Sequence, residues 1–315
     1  MGAYSTSGGI PGKSKPAANG MHYARRSGYL PAGHSQGLSC ATQKSAHRPY
    51  PFLLNRRDDS MSQARLKSHY EARYQTTPAG TPSPVFRASR TPANRYEAFL
   101  SVFSRDFRGR TILEIGGGEG TLVRGLIAEG IPFDSFVLTD LSENRLAAAQ
   151  TSIADSRVRY ELLDIEGQTP GHWQGSFDAV VLVAVIEHLV DPIGAMRVVR
   201  SFLKPRGIAY IDTPNIAKWT RRLKLISGYF PATASFDEGL CSYEGGAVDL
   251  HDQGHLHYFT FRSLEQMLKR YCRFTRFTRF GYWVGPRPLG SAVHNWLATS
   301  IPTVFSEVAI LAYTD

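Results

Sequence analysis

Short apolar runs alternate with amphipathic segments through the middle of the chain. The longest run covers residues 179–186, eight apolar residues in succession. Such a run suits a strand buried on both faces, as in a parallel sheet between two layers of helices. Shorter apolar runs at 112–115, 137–139 and 208–211 are separated by helical patterns, one of them at 143–153. This alternation predicts a doubly wound α/β domain.

The flanks of this pattern predict further elements. Before the first strand, Met61–Tyr74 and Ala93–Phe107 are predicted helices, and the second carries its aromatic and leucine side chains at helical spacing. Near the end, Arg273–Phe280 is predicted as strand six and Phe305–Tyr313 as an antiparallel strand seven. The alternative for the Arg-Phe-Thr repeat is stacking on nucleic-acid bases, but its position favours a strand.

Residues 214–260 form a predicted insertion after strand five, longer than ordinary loops. Within it, Ile216–Ile226 has a helical pattern. Because the insertion follows the end of a strand, we expect it to cap a bound ligand. Phe259 and Thr260 are expected to staple and cap the helix that follows, with Ser263 as the rival cap.

Charge is distributed unevenly along the chain. Eight Lys and Arg residues precede the first acid, Asp58, whereas 28 Lys and Arg face 27 acids from residue 58 onward. A basic footprint on the globular part is therefore not expected, which argues against a nucleic-acid partner. Residues 1–60 are rich in Gly, Pro and Ser and are predicted to be a disordered basic tail. The alternatives are an upstream extension with the true start at Met61, or a transit segment.

Cysteine and hydropathy patterns bear on location. The three cysteines have neither metal-ligand spacing nor the number needed for a disulfide framework, which suits a reducing compartment. Pro302 and Glu307 interrupt the apolar C-terminal stretch, so no membrane span is expected. We expect a cytoplasmic protein, or one of the mitochondrial matrix if residues 1–60 are a transit segment. Oligomeric state is left open.

A glycine-rich turn follows the first predicted strand. Residues 111–120 read Thr-Ile-Leu-Glu-Ile-Gly-Gly-Gly-Glu-Gly, with glycines at Gly116, Gly118 and Gly120. Bare backbone there lets a ligand approach the N–H groups at a helix start. The dinucleotide fingerprint G-x-G-x-x-G is absent because Thr121 stands in place of its last glycine. Glu114 would repel a pyrophosphate and attract a cation.

Acids close the next two predicted strands. Asp140 lies 24 positions after Gly116, near the spacing expected for an acid that binds an adenosine ribose. Its two oxygens can accept from both ribose hydroxyls. The alternative is that Asp140, with Ser142, caps the next helix. Asp164 follows the third strand, and the alternative to a ligand role is an exposed acid in a loop.

Together, these motifs resemble those of class I S-adenosylmethionine (SAM) dependent methyltransferases. The match comprises E-x-G-x-G-x-G, the two acids and the segment Phe-Asp-(apolar)-Glu187-His188-Leu-x-Asp-Pro. The last segment is similar to that of the group acting on small molecules, quinone precursors and surface sugars. Arg206, in the predicted turn at 203–207, departs from this group, whose members often carry a glycine there.

The resemblance implies SAM as the cofactor and a Rossmann-like seven-stranded sheet with an antiparallel last strand. Asp164 would then accept from the adenine amino group, with Ile165 as a packing neighbour, and Leu141 beside Asp140 would also contact the cofactor. Glu187 would hold the edge of the cofactor or orient His188. The full set of residues implied to bind the cofactor is Glu114, Gly116, Gly118, Gly120, Asp140, Leu141, Asp164, Ile165 and Glu187.

Histidines are the candidate bases for a hydroxyl acceptor. An imidazole has a pKa near neutrality and can take the hydroxyl proton. His188 leads because it follows strand four, and His255 and His257 are second choices from the cap. His188 could instead be a helix-start residue bonded to the backbone. The segment 251–257 holds three histidines and an acid, which a zinc ion could bind, but no metal is expected.

The predicted function is methyl transfer from SAM to a small-molecule or sugar-linked acceptor, at oxygen. A methylase acting on nucleic-acid bases would show N/D-P-P-Y after strand four, where this chain has Val-Ala-Val-Ile. Thr121 and Glu114 disfavour a hydride-transfer enzyme. The remaining alternative is a non-catalytic SAM-binding or scaffold protein of the same fold.

Overall fold

The computed structural model describes residues 84–106, 110–231, 255–284, 291–305 and 307–315. The predicted tail 1–60 and the predicted helix Met61–Tyr74 lie outside this part. Helices and strands alternate as the apolar pattern predicts. In chain order the elements are α1 (Arg95–Asp106), β1 (Thr111–Ile115), α2 (Thr121–Ala128), β2 (Ser135–Asp140), α3 (Glu143–Ser152), β3 (Val158–Leu162), β4 (Phe177–Val183), α4 (Pro192–Phe202), β5 (Leu203–Pro214), α5 (Trp219–Ile226), α6 (Phe261–Cys272), β6 (Arg276–Phe280), α7 (Ser291–Ser300) and β7 (Glu307–Tyr313).

Within the described residues the strands form one seven-stranded sheet in the order β3-β2-β1-β4-β5-β7-β6. Strands β1 to β5 run parallel, and β7 runs antiparallel to both β5 and β6. The predicted doubly wound sheet with an antiparallel last strand is confirmed. This order reverses direction at β1, so the carboxyl ends of β1, β2 and β4 meet at one edge, where such folds bind ligands.

Apolar side chains pack against both faces of the sheet. On one face, α4 and α6 cover β4, β5 and β7. On the other, α1 and α2 lie over β1, β2 and β4, and the Phe99 ring of α1 meets Tyr210 of β5 edge-on at 5.1 Å. Burial on both faces explains why the central strands are continuous apolar runs.

Four strand boundaries differ from those expected. Strand β6 begins at Arg276 rather than Arg273 and β7 at Glu307 rather than Phe305, and the other two differences are at β4 and β5. The apolar run continues to Ile186, but β4 ends at Val183 because Ala184 adopts a left-handed conformation with φ of 54°. A turn is expected at 203–207, yet β5 already begins at Leu203. The pairing with β4 shifts from Leu203 to Ile208, and Arg206 in between has φ of 62°. The turn is thus present as an irregularity inside the strand.

The predicted insertion 214–260 is described at its two ends. Asn215 and Phe259 form a bridge, so the segment leaves and rejoins the domain at one place. Residues 232–254 lie outside the described part, and their role as a cap stays a prediction. Thr260 caps α6 by accepting from the Ser263 N–H, while the Ser263 hydroxyl accepts from the Thr260 N–H. Both candidate caps therefore act together.

No helix in the described ranges is both long and apolar enough to cross a membrane.

Candidate active site

The glycine turn after β1 requires glycine for two separate reasons. Gly116, Gly118 and Gly120 have φ of 71°, 55° and 77°, which side chains disfavour. In addition, a Cβ on Gly116 would lie 2.5 Å from Val185. The turn is fixed to the sheet by the Gly117 N–H, which donates to the Thr139 carbonyl at 2.8 Å. The result is a rigid backbone cradle at the start of α2.

Glu114 is buried beneath this cradle. Its carboxylate lies against Gly117, where an added Cβ would be 2.7 Å away, and its Oε2 atom is buried with no hydrogen-bond partner. Burial, and secondarily the nearby charge of Asp140, raises the pKa of Glu114 to about 8, although Arg145 opposes the shift. A cationic ligand group near the turn would pair with this buried carboxylate and stabilise its charged form.

Asp140, the last residue of β2, holds the other side of the turn. Its Oδ2 atom accepts from the Gly118 N–H at 2.8 Å and its Oδ1 atom from the Ser142 N–H at 3.0 Å. Arg145 lies 3.4 Å from Oδ2. Ser142 occupies the N-cap position of α3 but forms no side-chain cap bond. The Oδ1 atom of Asp140 retains a further lone pair for a ligand hydroxyl, whereas Oδ2 already accepts from both the Gly118 N–H and Arg145.

A cleft of about 820 Å³, including its open part, lies along the carboxyl ends of β1, β2 and β4. Most of its lining comes from apolar side chains and the strand-end acids. Six residues predicted from the sequence line it: Gly116, Asp140, Leu141, Asp164, Ile165 and His188. Glu114, Gly118, Gly120 and Glu187 are not among the lining residues. Gly118 is bonded to the lining residue Asp140, and Glu187 lies with His188.

The loop after β3 is tied to the start of α4. Asp164 accepts from the Glu166 N–H at 3.0 Å. The Glu166 carboxylate in turn accepts from the N–H groups of Val190 and Asp191, and burial raises its pKa. Asp191 caps α4 by accepting from the Gly194 N–H. These bonds hold Asp164 at the edge of the cleft.

The candidate base His188 lies beside a second histidine and a buried acid. Its ring centroid is 4.8 Å from that of His255. Ligand atoms of Glu187, His188 and His255 all lie within 4.8 Å of one another. At this spacing a proton would pass between the groups through one bridging water, and one metal ion could reach all three. The backbone N–H of His188 donates to the Val185 carbonyl, and the residue lines the cleft.

Glu187 anchors the segment that carries the other histidines. Its carbonyl accepts from the N–H groups of Leu256 and His257, and its Oε2 atom accepts from the Thr213 hydroxyl at 2.9 Å. Burial raises the pKa of Glu187, against the lowering effect of His255. The His257 ring neighbours Phe259 at 6.3 Å. In the structure His255 lies beside His188, and His257 follows His255 by two positions in the chain. The rest of the histidine-rich segment considered for zinc, residues 251–254, lies outside the described part.

A family model describing a methyltransferase domain matches residues 87–271, more than half of the chain. The chain belongs to this methyltransferase family. Membership confirms the resemblance to class I SAM-dependent methyltransferases and implies SAM as the cofactor.

Named relatives match over part of their length. The chain is 30% identical over 115 residues to a ubiquinone biosynthesis O-methyltransferase of Neisseria meningitidis, covering 35% of this chain and 46% of the relative. It is 33% identical over 142 residues to the protein of the same name from Caulobacter vibrioides, covering 42% and 54%. The chain thus spans about half the length of these relatives.

Solved structures of similar shape include methyltransferases. One is a SAM-dependent methyltransferase of Mesorhizobium loti, with 19% identity, a TM-score of 0.46, and coverage of 69% of this chain and 97% of the other. Another, from Thermotoga maritima, has 15% identity, a TM-score of 0.45, and coverage of 70% and 89%.

The residues at the cleft would fit the chemical groups of SAM. The amino-acid end of SAM carries an ammonium group, which suits the unpartnered Oε2 atom of Glu114. A ribose hydroxyl suits the free lone pair on Oδ1 of Asp140, and the glycine turn has no side chains that would prevent close approach. Asp164 and Ile165 line the far end of the cleft, where an adenine would lie beside them.

Sequence reasoning missed two features of this methyltransferase cleft. Arg145 lies over the turn, since a Cβ on Gly118 would fall on its guanidinium, and it also lines the cleft. Its place five residues after Asp140, in the first turns of α3, is the signal that could have identified it. Ala184 turns the chain from β4 toward Glu187, but an alanine within an apolar run carries no signal of a left-handed conformation.

Proposed function

We propose that this methyltransferase transfers a methyl group from SAM to an oxygen atom of a small-molecule acceptor. The observation that carries the proposal is His188, whose imidazole lines the cofactor cleft beside a buried acid and a second histidine. A base is needed at this position only if the acceptor loses a proton. The relatives named O-methyltransferases support oxygen as the methylated atom.

The cofactor side of the cleft would bind SAM through residues already in place. Asp140 accepts from the ribose hydroxyls, Glu114 attracts the ammonium group, and Asp164 accepts from the adenine amino group. When bound, SAM would supply an activated methyl group for the acceptor oxygen. A neutral thioether is the leaving group.

The protein positions the acceptor and removes the proton of its reacting hydroxyl. The walls of the cleft hold the acceptor near the methyl group and limit the access of water, which accounts for much of the rate in such a displacement. His188 accepts the hydroxyl proton as the oxygen–carbon bond forms. His255 and Glu187 lie close enough to orient the imidazole and to stabilise its charged form.

The test is the substitution His188→Gln, assayed as formation of S-adenosylhomocysteine with a panel of phenols and sugars. We expect turnover to fall by about a hundredfold or more, because proton removal would lack its base. Binding of S-adenosylhomocysteine, measured by calorimetry, should change little.

His172→Gln is the matched control, because this exposed histidine precedes β4 at the opposite end of the strand. It should leave turnover unchanged. Equal turnover in the wild type and in His188→Gln would remove His188 as the base. Tight cofactor binding with no turnover on any hydroxyl acceptor would favour the scaffold alternative.

A further inference from the structure

Two loops line the cleft, and each carries a different part of the site. The loop after β3, residues 163–167, carries Asp164, and the segment after β4, residues 184–191, carries His188. Strands β2 and β1 lie between β3 and β4 in the sheet. The pairing of the strands therefore does not by itself bring these two loops into contact.

The Glu166 side chain joins the two loops. Its Oε2 atom accepts from the Val190 N–H at 3.1 Å, and its Oε1 atom accepts from the Asp191 N–H. Hydrogen bonds from backbone N–H groups to a charged carboxylate are stronger than those between neutral groups. Because each oxygen serves a different N–H group, both bonds require two acceptor oxygens. An amide at this position could keep only one of them.

The backbone of Glu166 is bonded to the residue proposed to bind adenine. The Oδ1 atom of Asp164 accepts from the Glu166 N–H at 3.0 Å, and the Asp164 carbonyl accepts from the Gly167 N–H at 3.1 Å. These bonds form a compact turn. A ligand that restrains Asp164 therefore also restrains the backbone from which Glu166 reaches the other loop.

The position of Glu166 along the base segment differs from that of two other attachments. The Ala184 N–H donates to the backbone of β5, and the Glu187 carbonyl accepts from two backbone N–H groups of the histidine-rich segment. Both of these attachments precede His188 in the chain. Glu166 binds the segment two and three positions after His188, and of the three attachments it is the one made by a residue that lines the cleft.

The surroundings of Glu166 oppose its charge. Burial raises the pKa of Glu166, the bonds from Asp191 and Val190 lower it, and the charges of Asp164 and Asp191 raise it again, so that the net shift is upward. A carboxylate is thus kept where its charged form is disfavoured. Carboxylates with shifted pKa values occur preferentially in functional clefts.

We propose that Glu166 is a positioning residue that links occupancy of the cofactor half of the cleft to the placement of His188. The inference rests on the proposed function, because it takes His188 as the base. A ligand beside Asp164 restrains the turn at 164–167, and Glu166 passes that restraint to the segment directly after His188. The base is therefore held in place most firmly when the cofactor is bound, which confines proton removal to the loaded cleft.

The first measurement is amide hydrogen exchange of the full chain, followed by mass spectrometry of the segment 186–191, with and without saturating S-adenosylhomocysteine. This segment contains the two N–H groups that donate to Glu166. The variant is Glu166→Gln, which keeps the shape of the side chain but removes one of the two bonds. Glu161→Gln, in β3 just before the same loop, is the matched control.

In the wild type, S-adenosylhomocysteine should slow exchange in this segment by about tenfold, because it stabilises the turn that holds Glu166. In Glu166→Gln, exchange without ligand should be about tenfold faster than in the wild type, and the ligand should no longer slow it. The control should exchange as the wild type does.

The second measurement is a double-mutant cycle with His188→Gln, assayed as turnover with the acceptor panel. With His188 present, Glu166→Gln should lower kcat by about tenfold. The same substitution should weaken S-adenosylhomocysteine binding by no more than about threefold. In the His188→Gln background it should lower kcat no further, because the base that it positions is missing.

Three results would each overturn this role of Glu166. They are unchanged exchange of the segment in the unliganded variant, protection by S-adenosylhomocysteine that persists in the variant, and a fall in kcat by the same factor in both backgrounds, which would indicate a purely structural effect. Failure of the wild type to bind S-adenosylhomocysteine is a separate result. It would count against the proposed function, and exchange of the unliganded variant would still decide whether Glu166 holds the segment.

Discussion

Glu114 combines full burial, an unpartnered oxygen and a pKa of about 8. Its position in the glycine motif predicted a carboxylate that attracts a cation. The raised pKa could not be predicted from the sequence, because it results mainly from burial under the turn and from the distance to Asp140 in the fold.

This residue predicts a pH-dependent stability difference. The folded pKa of Glu114 lies above the unfolded value of 4.5, so its contribution to stability is fully present below about pH 4.5 and is lost as the pH rises toward 8. Glu114→Gln removes that loss. In urea unfolding, the free energy of unfolding of the variant minus that of the wild type should rise by about 2–4 kcal/mol between pH 5 and pH 8.5.

The exposed Glu143→Gln, at the start of α3, is the matched control and should show no comparable trend. A difference between Glu114→Gln and the wild type that stays constant over this pH range would mean that the Glu114 carboxyl titrates normally.

At the scale of elements, two glycines with positive φ distinguish the cost of backbone strain from the cost of steric crowding. Gly116 and Gly130 both have positive φ, of 71° and 64°. A Cβ on Gly130 would meet nothing within 4 Å, whereas one on Gly116 would lie 2.5 Å from Val185. The pair therefore differs in surroundings more than in backbone conformation.

Gly130→Ala should cost about 1 kcal/mol of unfolding free energy, the strain of a left-handed alanine. Gly116→Ala should cost more, because Val185 must move, and it should also weaken cofactor binding. Denaturant unfolding and calorimetric titration with S-adenosylhomocysteine measure the two effects. Equal costs in stability and unchanged cofactor binding in both variants would contradict the claim that the turn at Gly116 is closely packed and contacts the cofactor.

Elements were predictable where their pattern is local. The strands β1, β2 and β4 follow from apolar runs, and α4 and α6 from their caps Asp191 and Thr260. The end of β4 was not predictable, because Ala184 continues the apolar run while its backbone turns left-handed. That turn depends on tertiary contacts, among them the Ala184 N–H donating to the Asp212 carbonyl.

At the scale of the whole molecule, the two halves of the site differ in how far the sequence reveals them. The cofactor half was predictable because its residues directly follow strands whose ends meet at one edge of the sheet. The surroundings of the candidate base were less predictable, because His255 is far from His188 in the sequence and the two rings meet only in the fold.

The most direct test of the account is calorimetric titration of the full chain with SAM, S-adenosylhomocysteine and NADH, in the wild type and in Asp140→Ala. We predict micromolar binding of the first two ligands and none of NADH. Loss of the Asp140 carboxylate should weaken SAM binding by about 1–3 kcal/mol. Absence of SAM binding by the wild type, or equal affinity in Asp140→Ala, would contradict the assignment of the cleft to this cofactor.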